Sequence, residues 1–375
     1  MGAAFNGGKL MKSINKNINK KFFRGPGDGF SKKSPGRRSQ VSWFFLILSL
    51  AVMVFPSQRV PMPDLLKPDS ITVDGGQIFI TDQAVLRIYS LKDFRLQKKF
   101  GKEGEGPKEF LVRLDAGLGL GICVKADFIL VNSWNKVTFL TRNGDYIRET
   151  GSRAVQTFKP LGDKFVGYTA DTIDGILNLT IRLYDKDFKD EKVIYRKEWY
   201  AQLKKNFNPL HLAIGMPRRA LFHTYDNKLF VEGENGEIVV FDGLGNKILT
   251  ITHDYKKVPF TRKHIDEILK SFEKRGPGLL RLAKQRGEYP EYFRPRYFTV
   301  ADGKVYVLTY EQEGGKSAFY IFDFKGQFLK KVFAPFYESD FLHFYPYSIS
   351  GGKLYQLLDN EDTEEWELVV SDLEK

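Results

Sequence analysis

The stretch from Asp74 to Gly101 reads DGGQIFITDQAVLRIYSLKDFRLQKKFG. A turn-forming Asp-Gly-Gly opens it, and three short segments follow, QIFITD, VLRIYSL and LQKKFG. These segments are rich in β-branched and aromatic residues and are bounded by turn residues, which is typical of strands joined by tight turns. The stretch therefore predicts one small antiparallel sheet.

The same pattern occurs six times along the chain. The later copies begin at the turns Lys125-Ala126-Asp127, Leu161-Gly162-Asp163, Asp226-Asn227, Asp302-Gly303 and Gly351-Gly352. Their spacing is about 40–60 residues and is longer where loops are inserted, which is typical of an all-β repeat fold. We predict a six-bladed β-propeller, because radial blades bury their faces against their neighbours. A seven-bladed ring with one degenerate blade is the alternative.

The sixth copy ends at Ser371-Asp372-Leu373, after its third strand. Residues 57–66, SQRVPMPDLL, are extended and lie just before the first copy. We expect them to supply the missing outermost strand and to close the ring. Pro61 and Pro63 are compatible with this position, since proline is tolerated on an edge strand.

One segment departs from the strand pattern. Between the fourth and fifth copies, Ile265, Ile268, Leu269 and Phe272 recur at helical spacing. We therefore predict a small helical insert over about 261–286. Residues 261–296 hold ten basic and five acidic residues, so this insert carries local positive charge.

The N-terminal part differs in composition from the repeats. Residues 1–40 contain ten Lys or Arg and one acid, which predicts a disordered basic tail on the cytoplasmic side. Residues 41–55, VSWFFLILSLAVMVF, carry no charge, and Pro56 follows. This arrangement predicts a signal peptide or membrane anchor over 41–56, with 57–375 exported. Cleavage stays open, as does the choice of Met1 or Met11 as the start.

The net charge of +12 lies mostly in that tail. The rest of the chain has 48 basic and 45 acidic residues, which argues against a nucleic-acid partner. Cys123 is the only cysteine, so no intrachain disulfide forms. Its apolar surroundings predict a buried position.

The segment from Phe100 to Phe110, FGKEGEGPKEF, resembles the glycine-rich linkers between blades of NHL-type propellers and of related bacterial six-bladed propellers. The helical insert followed by YPEYFRP at residues 289–295 is similar to inserts in the bacterial envelope propellers. The resemblance covers about residues 65–375 and implies a propeller of the cell envelope. The glycines have a structural role, because no Lys-Ser or Lys-Thr pair follows them as in a phosphate loop.

No motif in the sequence identifies a catalytic group, a metal site or a cofactor-binding site. The five histidines lack metal-ligand spacing, and no G-x-S-x-G segment is present. Propeller lactonases gather acidic and amide side chains around calcium at the channel mouth. Asp82, Asn132 and Glu232 follow second strands in three blades and are candidates for such a set, or they cap turns.

A basic and aromatic set is the better-supported site. In a propeller, the segment that leads into each innermost strand lies at one mouth of the central channel. The predicted ligand-binding residues in such segments are Arg113, Arg218, Arg219, Tyr292, Arg294, Arg296 and His343. Guanidinium groups beside aromatic rings suit a carboxylate, phosphate or sugar acid. The alternative is that these arginines pair with acids between blades.

These observations predict a monomeric extracytoplasmic propeller that binds an anionic small molecule, a glycan or a protein, without evident catalysis. The membrane is the expected partner of residues 41–55. A hydrolase or lyase of the propeller-lactonase type, acting at the channel mouth, is the alternative, and the sequence leaves enzymatic activity open.

Overall fold

The computed structural model describes residues 57–112, 119–134, 136–151, 157–174, 176–201, 222–233, 236–273, 290–340 and 343–374. Strands are numbered in chain order. The first blade consists of β2 (Pro68–Asp74), β3 (Gln77–Asp82), β4 (Val85–Ser90) and β5 (Leu96–Phe100). The second consists of β8 (Gly121–Val124), β9 (Ile129–Asn132), β10 (Lys136–Leu140) and β11 (Tyr146–Gly151). The third consists of β12 (Phe158–Leu161), β13 (Lys164–Ile173), β14 (Ile176–Tyr184) and β15 (Asp190–Ala201).

The other three blades have the same antiparallel order. The fourth consists of β16 (Phe222–Tyr225), β17 (Lys228–Glu232), β18 (Ile238–Phe241) and β19 (Lys247–Ile251). The fifth consists of β20 (Tyr297–Ala301), β21 (Lys304–Glu313), β22 (Lys316–Asp323) and β23 (Phe328–Ala334). The sixth consists of β26 (Tyr347–Ser350), β27 (Lys353–Asn360), β28 (Glu365–Asp372) and β1 (Gln58–Pro61). Two short pairs lie between blades: β6 (Lys102–Glu103) with β7 (Glu109–Phe110), and β24 (Glu338–Asp340) with β25 (His343–Phe344).

The first strand of each blade faces the centre of a ring. These inner strands are β2, β8, β12, β16, β20 and β26. Strand β2 contacts both β26 and β8, and contacts continue from β12 through β16 and β20 to β26. Asn132 joins the second blade to the third, because its side-chain amide bonds both the N–H and the C=O of Phe158. The six-bladed β-propeller is therefore confirmed.

Ring closure follows the predicted scheme. Strand β1 pairs antiparallel with β28, with Gln58 opposite Val370 and Pro61 opposite Glu367. Met62 and Leu65 then enter the core between the sixth and first blades, where they are 2% and 5% exposed. The polypeptide from the N-terminal side thus completes the last blade.

A repeated turn sets the geometry between the third and fourth strands of several blades. In the third, fourth and fifth blades, Oδ1 of Asp185, Asp242 or Asp323 accepts N–H groups two and four residues later, at 2.8–2.9 Å. Such Asp-centred turns satisfy backbone donors that the strands leave unpaired. The sequences Gly243-Leu244-Gly245-Asn246 and Lys325-Gly326 occupy two of these turns.

The glycine-rich linker carries the chain from the first blade to the second. Phe110 at its end is fully buried, and its ring lies 2.7 Å from where a Cβ on Gly101 would stand. Gly101 also has a φ of 90°, which favours glycine. Lys136 Nζ donates to the carbonyls of Glu105 and Gly106 and to Glu149. The predicted structural role of this linker is confirmed.

The helical insert contains helix α1 (Arg262–Glu273), inside the predicted range. Ile265, Ile268 and Leu269 form its buried face, as their spacing predicted. Residues 274–289, the tail 1–40 and the apolar run 41–56 lie outside the described residues. Within the described ranges, no helix is long and apolar enough to cross a membrane.

Deleting residues 57–66 should lower the thermal midpoint of unfolding by about 5–10 °C, because burial of Met62 and Leu65 and the β1 pairing are lost together. Differential scanning fluorimetry measures this. A deletion of equal length in the tail, 25–34, is the control. An equal midpoint for both deletions would show that β1 does not close the ring.

Candidate functional site

A cavity of about 480 Å³ occupies the centre of the ring. Residues of all six inner strands contribute to its wall, including Thr72, Cys123, Lys159, His223, Thr299 and Ser348. The volume falls in the range of small-molecule sites, which is about 300–1,000 Å³. The cavity is therefore the principal candidate site in the described part of the chain.

Lys159 is a cation in this wall. It lies on β12, and its Nζ donates a 2.7 Å hydrogen bond to the carbonyl of Phe222 on the neighbouring blade. The same ammonium lies 5.0 Å from the centroid of the Phe222 ring. Burial lowers the pKa of Lys159, and no described carboxylate forms an ion pair with it.

Two uncharged titratable groups accompany Lys159. Burial, and then the charge of Lys159, hold the pKa of His223 well below its usual value, so the imidazole is neutral at pH 7. His223 Nε2 lies 3.4 Å from the Tyr297 hydroxyl. Burial raises the pKa of Cys123, so this group is a thiol, and its Sγ donates to the Phe158 carbonyl at 3.7 Å. A protonated thiol is a poor nucleophile.

The position of Cys123 corrects one sequence-based prediction. Its apolar neighbours predicted a buried core residue, whereas the side chain is half-buried and lines the cavity. The reason is that β8 is an inner strand, so some of its side chains face the channel instead of a neighbouring sheet.

Hydroxyl and aromatic groups form another part of the wall. Thr299 Oγ1 and the Tyr347 hydroxyl are hydrogen-bonded at 3.0 Å, and Ser348 Oγ accepts the N–H of Val73 at 3.1 Å. The rings of Tyr297, Phe344 and Tyr347 pack with centroids 5.5–6.0 Å apart. This wall suits a ligand that has both polar and apolar surface.

Carboxylates mark the end of the cavity at which the inner strands terminate, which we call the downstream mouth. Asp74, Asp226 and Asp302 lie there, together with Lys125. Asp74 forms a 2.6 Å ion pair with Arg142, and Asp302 accepts the N–H of Gly352 at 3.0 Å. These contacts fix the turns, and Lys125, Arg142 and Lys228, whose Nζ lies 3.3 Å from Asp226, offset the negative charge of the carboxylates.

The predicted arginine site belongs to the segments that precede the inner strands. Arg113, Arg218 and Arg219 lie outside the described residues. Arg294 is exposed, and Tyr292 is 36% exposed with Lys257 Nζ 5.5 Å from its ring centroid.

His343 and Arg296 both have acidic partners. His343 Nδ1 lies 2.7 Å from the Asp340 carboxylate. The Arg296 side chain is only 5% exposed, pairs with Glu338 of β24 and lies 4.6 Å from the centroid of the Tyr310 ring. Tyr292, Arg294, Arg296 and His343 do not line the cavity described above. Anion binding by this set stays a prediction.

The three candidate calcium ligands make structural contacts. Asp82 accepts the N–H groups of Leu66 at 3.0 Å and Lys67 at 2.7 Å, and it pairs with Arg87. Asn132 bonds the Phe158 backbone as described above, while Glu232 lies 4.0 Å from Lys197. Among the described residues, no group of three His, Cys, Asp or Glu side chains is arranged to hold a metal ion.

Comparison with known proteins gives no family. No protein-family model matches the chain, and no curated protein matches it. Among solved structures, BamB from Moraxella catarrhalis aligns at 10% identity with a TM-score of 0.30, over 80% of this chain and 71% of that chain. The β-propeller domain of Cps50 (Swd1) from Myceliophteria thermophila aligns at 10% identity with a TM-score of 0.41, over 83% of this chain and 98% of that chain. Likeness at this level carries no argument about function, and membership of the NHL-type family stays a prediction.

Replacing Arg296 with Ala should lower the free energy of unfolding by about 3 kcal/mol, because Glu338 would lose the buried partner of its charge. Arg294→Ala is the matched control and should change stability by less than about 0.5 kcal/mol, since Arg294 is exposed. Urea denaturation measures both. Equal stability of the two variants would contradict a structural role for Arg296.

Proposed function

We propose that this protein is a non-catalytic binding propeller of the cell envelope, and that its central channel takes a small organic ligand. One observation carries the proposal. Residues from all six inner strands enclose a cavity of about 480 Å³, and the wall combines a cation, hydroxyl groups and aromatic rings. Polar groups that converge beside aromatic rings in one recess are typical of ligand sites.

The chemistry of the wall favours binding over catalysis. Cys123 is protonated and His223 is neutral. His223 Nε2 lies 3.4 Å from the Tyr297 hydroxyl, and Cys123 Sγ donates to the Phe158 carbonyl. A nucleophile activated by an adjacent base needs the two side chains within hydrogen-bonding distance. No such pair occurs among the described wall residues, and this favours the binding hypothesis.

The basic segments that precede the inner strands complete the proposal. At the mouth where the inner strands begin, a local excess of anions would follow from the charges of Arg113, Arg218, Arg219 and Arg294. This effect would weaken as the salt concentration rises. The basic tail and the apolar run 41–55 support export of the propeller and its attachment to a membrane.

Filling the channel should abolish ligand binding. Thr72 lines the cavity, so Thr72→Trp places a large ring in it, whereas Thr172→Trp makes the same change at an exposed position on β13. A library of small organic acids, sugars and amines, observed by saturation-transfer NMR, should give ligands that bind wild type and Thr172→Trp but not Thr72→Trp. Equal binding by both variants, or no ligand at all, would overturn the proposal.

The proposed export of the propeller is tested separately. A periplasmic-type reporter such as alkaline phosphatase, fused after Lys375, should be active, because the proposed export places the C-terminus beyond the membrane. Replacing the apolar run 41–55 with a polar segment of equal length should abolish that activity. A fusion that is active only with a cytoplasmic reporter would show that the propeller is not exported.

A further inference from the structure

Lys159 differs from the other lysines whose ammonium groups are buried or half-buried by protein. Lys136 has a carboxylate partner in Glu149, and Lys197 has one in Glu232. Lys159 has only the carbonyl of Phe222 and the face of the Phe222 ring among the described residues. An ammonium has three donors, so the described contacts use one of them.

A charge in this position is costly without a counter-ion. Transfer of an ammonium from water into protein is unfavourable, and a carbonyl with an aromatic face compensates only part of the loss. The neighbouring groups supply no negative charge, because Cys123 is a thiol and His223 is a neutral imidazole. An anion that entered the cavity would therefore gain a charge-assisted hydrogen bond with little competition.

The rest of the cavity restricts which anion fits. Among the described lining residues, Lys159 and Lys125 are the lysines, and Lys125 lies at the downstream mouth with Asp74, Asp226 and Asp302. Asp74 pairs with Arg142 and Asp226 with Lys228, so Lys159 is the cation of the described wall away from that mouth. One positive charge in this wall balances one negative charge on the ligand, which favours a monoanion over phosphates or other polyanions. The hydroxyls of Thr299 and Tyr347 and the ring of Tyr297 suit hydroxyl or aromatic groups on the same molecule.

We infer that Lys159 is the anion-binding residue of a channel site for a small organic monocarboxylate. The inference rests on the proposed function, which supplies the channel as the binding place, and it adds the anchoring residue and the ligand class. The carboxylate accepts from Lys159 Nζ, while the wall of Tyr297, Thr299 and Tyr347 contacts the remainder of the ligand.

A structural role for Lys159 is the competing account. Its hydrogen bond to the Phe222 carbonyl joins the third blade to the fourth. If that is its whole role, replacing Lys159 with Met changes the stability of the protein, and the molecules that remain folded bind the ligand with unchanged affinity. The experiment must therefore measure affinity in folded protein.

Isothermal titration calorimetry on the full chain should use gluconate, glucuronate, benzoate and 4-hydroxybenzoate, each against its neutral amide, and inorganic phosphate. We expect at least one carboxylate to bind, its amide to bind more weakly, and phosphate not to bind. In Lys159→Met, the affinity for that carboxylate should fall about tenfold or more and match that of the amide. The control Lys247→Met makes the same change at an exposed position on β19, outside the cavity lining, and should retain wild-type affinity within about twofold.

The outcomes separate the two proposals. If Thr72→Trp blocks binding while Lys159→Met does not, the channel site stands and the assignment of Lys159 is wrong. Preferential binding of phosphate or of the neutral amides would overturn the ligand class. If no carboxylate binds in the channel, the inference fails.

A second measurement covers the case in which Lys159→Met does not fold. Wild-type protein treated with limiting acetic anhydride, followed by peptide mass spectrometry, gives the acetylation rate of each lysine. A saturating bound carboxylate should slow acetylation of Lys159 and leave the rate at the exposed Lys247 unchanged. An unchanged rate at Lys159 would overturn the assignment.

Discussion

The pairing of β1 with β28 is the constraint on which the other features of the propeller depend. It joins residues about 310 positions apart, with Gln58 opposite Val370, so it closes a ring that consecutive blades alone leave open. The closure continues beyond the strand. Met62 and Leu65 fill the space between the last and first blades, and Asp82 accepts the N–H groups of Leu66 and Lys67. Closure also covers the outer edge of β28, which would otherwise be an exposed template for aggregation.

The cavity is a consequence of the closed ring. Each inner strand contributes one or a few residues, and the site exists only where six strands converge. The ring also explains the charge distribution in the cavity. Lys159 lies in the cavity wall, and the neighbouring blades contribute a thiol, a neutral imidazole and hydroxyl groups around it. The turns that end the inner strands carry the aspartates and their basic partners, so the same geometry gives the channel a polar wall around Lys159 and a mouth of paired charges.

The sequence predicted the blades because strand and turn preferences are local. QIFITD corresponds to β3, the turn residues occur at the expected positions, and 57–66 supply the closing strand. The site was harder to predict. Lys159 lies in the short strand FKPL, where nothing in the sequence distinguishes it from a surface lysine, and its environment depends on Phe222, 63 residues later. Likewise Arg296 pairs with Glu338, 42 residues away. The positions of the arginines along the sequence therefore predicted a basic cluster, but not that an acidic residue neutralises Arg296. The arginines at Arg113, Arg218 and Arg219 stay predictions.

Engineered disulfides test ring closure most directly. In a Cys123→Ala background, the pair Gln58→Cys and Val370→Cys should form an intramolecular disulfide under mild oxidation, because these residues are opposite one another in the register. The pair Gln58→Cys and Ser371→Cys, shifted by one residue, should not, since that shift moves the second side chain to the other face of the sheet. Non-reducing mass spectrometry of monomeric protein distinguishes the two. A cross-link only in the first pair is the predicted result, whereas equal cross-linking in both pairs, or none in either, would contradict a ring closed by β1.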